Sequence, residues 1–249
     1  MVAKFSIIID LMRSYFVQVV KKVFLSLGFR IERYFPERDI LIPKNIELDI
    51  FFDVGANVGS YVEQIRKQGY LGKVVSFEPT SAAHKVLLSQ SLKDGNWSVY
   101  ERCALGDKNG TIKINVSLNS YSSSVLSMSQ LHLDAAPGSE FVSQESVPIF
   151  RISDVWKSKF SQYRKVGLKI DVQGFELDVL AGAIEILHFI EFIQIEMSLA
   201  QVYEGQSLYT DVDSLLRSYG FFLWKVLPGF CNPQTGQLLQ FDGIYVREF

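Results

Sequence analysis

Four carboxylates stand where apolar runs of this sequence give out: Asp53, Glu78, Asp171 and Glu196. The first opens a glycine-rich stretch, Asp53-Val-Gly55-Ala-Asn57-Val-Gly59. Gly55 permits a sharp turn and a close backbone approach to a ligand. Gly59 permits tight contact where a helix begins, and N–H groups exposed at such a turn favour an anionic or polar group. The spacing is neither GxGxxG nor the GxxxxGK phosphate loop, so the turn by itself also reads as a plain strand-to-helix connection. Glu78 changes the balance. An acid about 20 residues beyond the turn can take both hydroxyls of a ribose on its two acceptor oxygens; capping the helix that begins near Ser81 is its structural alternative. A nicotinamide dinucleotide would want the denser glycine pattern for its pyrophosphate. A ligand with ribose and no phosphate suits the turn better, and S-adenosylmethionine is such a ligand, with Asp53 near its ammonium end.

Asp171 and Glu196 carry a different chemistry. On neighbouring parallel strands they would stand side by side at the carboxyl edge of a sheet, where open α/β sheets bind ligands. Such a pair either clamps a divalent cation or supplies a base to a hydroxyl, a poor nucleophile until its proton is removed or polarised. The structural alternative has Asp171 touching cofactor or capping the turn at Gly174, and Glu196 binding a backbone N–H. Lys169 lies inside the apolar run before Asp171 and is expected to pair with an acid. Glu176 opens a helix, where the dipole favours a carboxylate without any further role. Tyr121 and His132 reach an acceptor only if their Ser-rich segment folds over the site. His84 and His188 fall in predicted helices.

The elements that must hold these groups follow from the apolar pattern. Residues 46–53, 73–78, 97–104, 166–171 and 192–196 are short runs rich in β-branched and aromatic residues, as strands buried between helices are. Helical stretches are predicted at 60–68, 81–92, 175–188 and 208–219, punctuated by Gly69, Gly95 and Gly220. This alternation predicts an open parallel sheet with helices on both faces. Residues 111–117 and 146–152 read as two strands without a helix between them, an antiparallel addition to that sheet. The Ser-rich connection 118–145 is long enough to read as a lid. Strands at 221–227 and 241–246, joined by a Pro/Gly loop, must run antiparallel.

Charge and composition narrow the partners. The 25 Lys+Arg against 27 Asp+Glu leave a net charge of −2, which provides no footprint for a nucleic-acid backbone. The chain is 48% apolar and 21% charged, a globular composition. Cys103 and Cys231 form no CxxC and no metal-ligand spacing with histidine, so they read as reduced thiols of a reducing, cytoplasmic compartment. Residues 1–45 read as an N-terminal helical extension to a domain spanning 46–249. In it Ile8, Leu11, Met12, Tyr15, Phe16, Val19, Val23 and Leu27 share one helical face opposite Asp10, Arg13, Ser14 and Lys21. Packing on its own domain, contact with a membrane surface and contact with a second copy are the readings of that face.

Several blocks together resemble one family. Phe52-Asp-Val-Gly-Ala-Asn-Val-Gly-Ser-Tyr61, Ser76-Phe-Glu-Pro79, Ala104-Leu-Gly106, Val147-Pro148 and Leu168-Lys-Ile-Asp-Val-Gln-Gly-Phe-Glu176 resemble the FkbM family of S-adenosylmethionine-dependent methyltransferases, in order, from about residue 50 onward. The family commonly has Glu where Gln173 stands. The resemblance implies a Rossmann-like class I methyltransferase fold, mostly parallel with an antiparallel C-terminal strand. It implies Asp53, Gly55, Asn57 and Gly59 on the methionine and ribose side of S-adenosylmethionine, Glu78 on the ribose hydroxyls, and Ala104 and Leu105 against the adenine. It also implies O-methylation of a small-molecule or saccharide hydroxyl. A nucleoside-binding protein of the same fold without catalysis and a nicotinamide-dependent oxidoreductase are the alternatives.

Overall fold

The structure is a computed structural model that describes residues 16–29 and 41–247. The chain divides into two units, Met1–Ile40 and Leu41–Phe249. In the first, residues 16–26 are helical (α1). Of the expected amphipathic face, Ile8, Leu11, Met12 and Tyr15 lie outside the described residues, while Phe16, Val19, Val23 and Leu27 are exposed. No described helix is long and apolar enough to cross a membrane.

The second unit alternates strand and helix: β1 (Ile50–Val54), α2 (Ser60–Lys67), β2 (Lys73–Phe77), α3 (Ser81–Ser91) and β3 (Trp97–Val99). After an excursion through β4 (Ala104–Leu105), β5 (Gly110–Ser117), α4 (Gln130–Ala135), β6 (Phe141–Phe150) and α5 (Ile152–Val155), it returns with β7 (Val166–Ile170), α6 (Glu176–Ala183) and β8 (Ile190–Ser198). It ends with α7 (Tyr209–Ser218), β9 (Phe221–Pro228) and β10 (Gln240–Arg247). The main sheet has the order β3-β2-β1-β7-β8-β10-β9. Its first five strands are parallel, and β10 runs antiparallel to both β8 and β9. This is the α/β, mostly parallel architecture with an antiparallel C-terminal strand.

Strand β1 is buried along its whole length, which is why it reads as a continuous apolar run. Ile50, Phe52 and Val54 face one core with Leu168, Ile170 and the buried side of α6. Phe51 faces the other, with Tyr61, Val62 and Ile65 of α2 and Leu87 of α3. Helices therefore cover both faces.

Two expectations change. The run 97–104 is not one strand: the chain leaves the main sheet after Val99, and Ala104–Leu105 pairs instead with β6. Arg102 makes the break, its guanidinium donating to the Pro79 carbonyl and to Glu145. Strands β5 and β6 do pair antiparallel, but in a separate three-stranded sheet of order β4-β6-β5. The connection 118–145 is built as a strap: an Asn119 side chain closes a turn, Ser124 bridges Asn115, α4 follows, and β6 takes the remainder.

Helix α6 begins at Glu176, which is buried and accepts the N–H groups of Val172 and Gly174. Burial pushes its carboxyl up from 4.5 to about 7, against those hydrogen bonds. A raised carboxyl pKa stabilises the fold below the unfolded value and loses that contribution as pH rises through the folded one. Between pH 4.5 and about 7 the wild type should therefore lose ~3 kcal/mol of stability relative to Glu176→Gln. Urea unfolding at about pH 5 and about pH 8 measures this; parallel pH profiles for the two proteins would refute it.

Candidate active site

The main sheet carries a polar row among its apolar ones. Ser76, Asp53, Lys169 and Gln194 are register partners across β2, β1, β7 and β8. Side chains alternate along each strand, so this row lies on the face of Phe51 and Phe192, one step nearer the carboxyl edge. All four residues are buried. The Lys169 ammonium is 2.9 Å from Asp171 Oδ2 and 5.1 Å from the centre of the Tyr61 ring. Burial alone would lower its pKa; the charges of Asp171 and Asp53 outweigh burial and hold it protonated. Asp53 Oδ2 accepts the Ser76 hydroxyl at 2.9 Å, and Ser76 Oγ in turn accepts Trp97 Nε1–H at 2.9 Å.

Two residues further along, on the same face, the strands deliver Asp171 and Glu196 to a cavity of about 260 Å³. Glu78 follows β2 into the same cavity. The turn between β1 and α2 is shaped around these neighbours. Gly55 has φ +77°, and a Cβ there would lie 1.8 Å from the Asp171 carbonyl oxygen, so any other residue would push β7 away. Glu78 is buried and braces the turn: Oε2 accepts the Asn57 N–H at 2.8 Å, and Oε1 accepts the Thr80 N–H and hydroxyl at 2.8 and 2.6 Å. Burial raises its pKa against those hydrogen bonds. Beside it, Asn57 Oδ1 is buried with no hydrogen-bond partner. Cys103, Ala104, Leu105, Ile114 and Phe175 give the cavity an apolar part, and Ser120, Tyr121 and Ser123 of the strap line it too.

Asp171 and Glu196 lie together, as the strand order requires, with the Gln173 side chain between them. Its Nε2 donates to Asp171 Oδ1 at 2.8 Å and to Glu196 Oε2 at 2.9 Å. Gln240 adds a second amide N–H to Glu196 Oε2 at 2.8 Å. The two carboxyls are driven in opposite directions. Burial pushes Asp171 up, but the charge and hydrogen bond of Lys169 outweigh it and hold the group below its usual range. Burial and the negative charges of Asp171, Glu176 and Asp242 push Glu196 well above its usual range. Among the described residues, no group of three or more His, Cys, Asp or Glu is arranged to hold a metal ion.

Of the residues expected in the site, Gly55, Asn57, Glu78, Ala104, Leu105, Asp171 and Glu196 line this cavity. Asp53 and Gly59 do not. Asp53 is completely buried behind the cavity because it stands in the row of Lys169, one step short of the edge that Asp171 and Glu196 reach on the same face. Gly59, at φ +95°, serves packing: a Cβ there would lie 2.4 Å from the Trp97 ring. Tyr121 is on the cavity lip and 62% exposed. His132 is buried instead between the Tyr203 and Phe230 rings, where burial lowers its pKa. Sequence reasoning missed Tyr203, whose hydroxyl donates to Gln173 Oε1 at 2.9 Å, and Gln240. Neither carries a local motif. Gln173 carried one signal, as the single departure inside the block after β7.

A profile of the Methyltransferase FkbM domain matches residues 53–223. The 31-O-demethyl-FK506 methyltransferase FkbM of Streptomyces tacrolimicus is 25% identical over 199 residues, covering 70% of this chain and 72% of that protein. The crystal structure of methyltransferase FkbM from Methylobacillus flagellatus KT superposes with a TM-score of 0.47 at 14% identity, over 86% of this chain and 48% of that one. Magnesium protoporphyrin IX methyltransferase from Synechocystis PCC 6803, solved with bound S-adenosylmethionine, gives 0.44 at 13% identity, over 96% and 82%. The profile spans more than half of the chain, from the first carboxylate of the glycine turn to the start of β9. The protein therefore belongs to the FkbM family of S-adenosylmethionine-dependent methyltransferases.

Proposed function

We propose that this methyltransferase acts on a hydroxyl of an uncharged, hydroxyl-rich acceptor: a sugar, a glycan or another secondary metabolite. The wall of the cavity carries this reading. Glu78, Asp171 and Glu196 line it with Asn57, Ser120, Tyr121, Ser123 and Gln173, and no lysine, arginine or histidine is among the lining residues described. A phosphate or carboxylate on the acceptor would meet like charge without a counter-ion, whereas hydroxyls find acceptors on every side. The exposed Tyr121 ring offers a flat, largely apolar platform for a sugar ring. The Streptomyces relative, named for an O-demethyl substrate, supports oxygen as the methylated atom.

The residues present fit an adenosyl ligand. Asn57 Oδ1 lacks a partner, and Glu78 Oε2 accepts a single hydrogen bond, so both retain lone pairs for a ribose diol. Ala104, Leu105 and Phe175 supply the apolar flank for an adenine ring. Gly55 lets the backbone approach the methionine end, while Asp53 and Gly59 support the site from behind. S-adenosylmethionine supplies an electrophilic methyl carbon on a sulfonium that leaves as a neutral thioether. The chain supplies alignment, which accounts for much of the rate in such a displacement. Asp171, kept ionised by Lys169, accepts the acceptor's O–H hydrogen bond and takes its proton as the O–C bond forms. Glu196, whose burial and acidic neighbours favour its protonated form, opposes a second charge beside it.

Glu78→Ala should weaken S-adenosylhomocysteine binding by ~3 kcal/mol or more, roughly a hundredfold in Kd. Calorimetry on a variant with native circular dichroism tests this, and unchanged affinity removes Glu78 from the ribose. Asp171→Asn should cut kcat by about 100-fold with S-adenosylhomocysteine affinity nearly intact. Turnover across paired acceptors, a neutral glycoside and its phosphorylated counterpart, tests the acceptor class. Preference for the phosphorylated member would overturn the reading.

A further inference from the structure

We propose that the side-chain amide of Gln173 occupies the place of a shared cation, and is the positioning residue that holds Asp171 and Glu196 side by side without a divalent ion. The inference rests on the reading of Asp171 as the base with Glu196 beside it.

The amide is fixed from both ends. Its oxygen accepts the Tyr203 O–H at 2.9 Å, and its nitrogen faces the acids, at 2.8 Å from Asp171 Oδ1 and 2.9 Å from Glu196 Oε2. Turned over, the carbonyl oxygen would abut the Asp171 carboxylate, whose pKa Lys169 holds down. Each of the two N–H bonds thus serves one acid. A Mg²⁺ ion would need those same oxygens at roughly 2.1 Å, in the volume the NH₂ group fills. The remaining partners are nitrogen donors as well: Lys169 on Asp171 Oδ2 and Gln240 on Glu196 Oε2.

The backbone holds the amide there at a cost. Gln173 has φ +58°, a left-handed conformation unfavourable by roughly 1–2 kcal/mol for a residue with a Cβ. The Ser124 hydroxyl pins its carbonyl at 2.5 Å, and the Ser122 carbonyl of the same strap lies 3.2 Å from Tyr203 Oη as a second acceptor for its one proton. Strain at a non-glycine residue persists where surroundings over-determine it, and here the strap and the Tyr203 segment do so together. Glutamate at this position would bring a third carboxyl among the acids facing Lys169, and the cluster would then need a proton or a cation.

The test titrates Mn²⁺ into the full chain in the presence of S-adenosylhomocysteine and follows turnover with EDTA and with added Mn²⁺. The wild type should take up no Mn²⁺ saturably and should keep its rate in EDTA. Gln173→Glu should bind a single Mn²⁺, lose at least ~10-fold in kcat without it and recover when saturated. Gln173→Ala should lose kcat with KM for S-adenosylmethionine unchanged. Saturable Mn²⁺ uptake by the wild type with loss of turnover in EDTA would overturn the proposal, as would wild-type kcat in Gln173→Ala or in metal-free Gln173→Glu. If Gln173→Glu fails to fold, the wild-type titration and the alanine variant still decide. Wild-type turnover in Asp171→Asn would instead remove the reading of the carboxylates, because Mn²⁺ uptake reports on the amide independently of catalysis.

Discussion

A lysine ammonium buried in the middle of a parallel sheet has to be answered by acids, and the edge of this sheet is organised around that requirement. Lys169 is 6% exposed. Taking such a charge out of water costs several kcal/mol, which only close partners with good geometry return. Asp171 supplies the direct pair, Asp53 adds a second negative charge from β1, and the Tyr61 ring covers the remaining side. Removing one partner of such a pair typically costs about 3–5 kcal/mol because the other charge is left buried alone. The same pairing keeps Asp171 ionised at the cavity wall. One interaction thus joins the stability of the sheet to the chemistry at its edge.

The second constraint is the joint between the main sheet and the three-stranded one. Glu145 of β6 accepts the Ser81 N–H and hydroxyl at the start of α3, and its salt bridge to Arg102 secures the turn that ends β3. Two of the cavity's walls are therefore set by one carboxylate outside it. The strap that follows β5 is held as firmly, by Ser124 on the Gln173 carbonyl and by Tyr203 on Ser122. It delivers Ser120 and Tyr121 to the cavity wall. A segment tied in this way has less ordering left to do when a ligand binds.

Within the cavity, carboxyls of the same chemical type are set to different tasks by their surroundings. Asp171 faces a lysine and stays charged. Burial and the charges of Asp171, Glu176 and Asp242 push Glu196 well above its usual range. Glu78 is spent partly on bracing the glycine turn and partly presented to the cavity. Uncharged amides carry much of the contact between these acids: Gln173 and Gln240 on Glu196, and Gln194 on Asp242. Amide donors satisfy carboxyl oxygens without adding net charge, and no Lys, Arg or His is among the described lining residues.

Much of the main sheet was legible in the sequence because its information is local. Buried parallel strands must be continuous apolar runs, and the acids that end them stand out against those runs. Asp171, Glu196 and Glu78 were found that way, and the alternation with helices implied that neighbouring strands would bring the first two together. The place of the Asp53 side chain was not legible in the same way. It depends on the register of β1 against β7, which sets Asp53 beside Lys169 and one step short of Asp171, and a strand's own residues do not record that register. The excursion of Ala104–Leu105 into a second sheet, the burial of His132, the meeting of Gln173 with Tyr203 and that of Gln240 with Glu196 depend on the tertiary packing. Each depends on contacts between segments tens of residues apart, where no periodicity or local propensity records the partner. Local pattern carries the order of the main-sheet strands, the helices between them and the acids at the strand ends. Packing and register decided which of those acids face the cavity, and which amide stands between two of them.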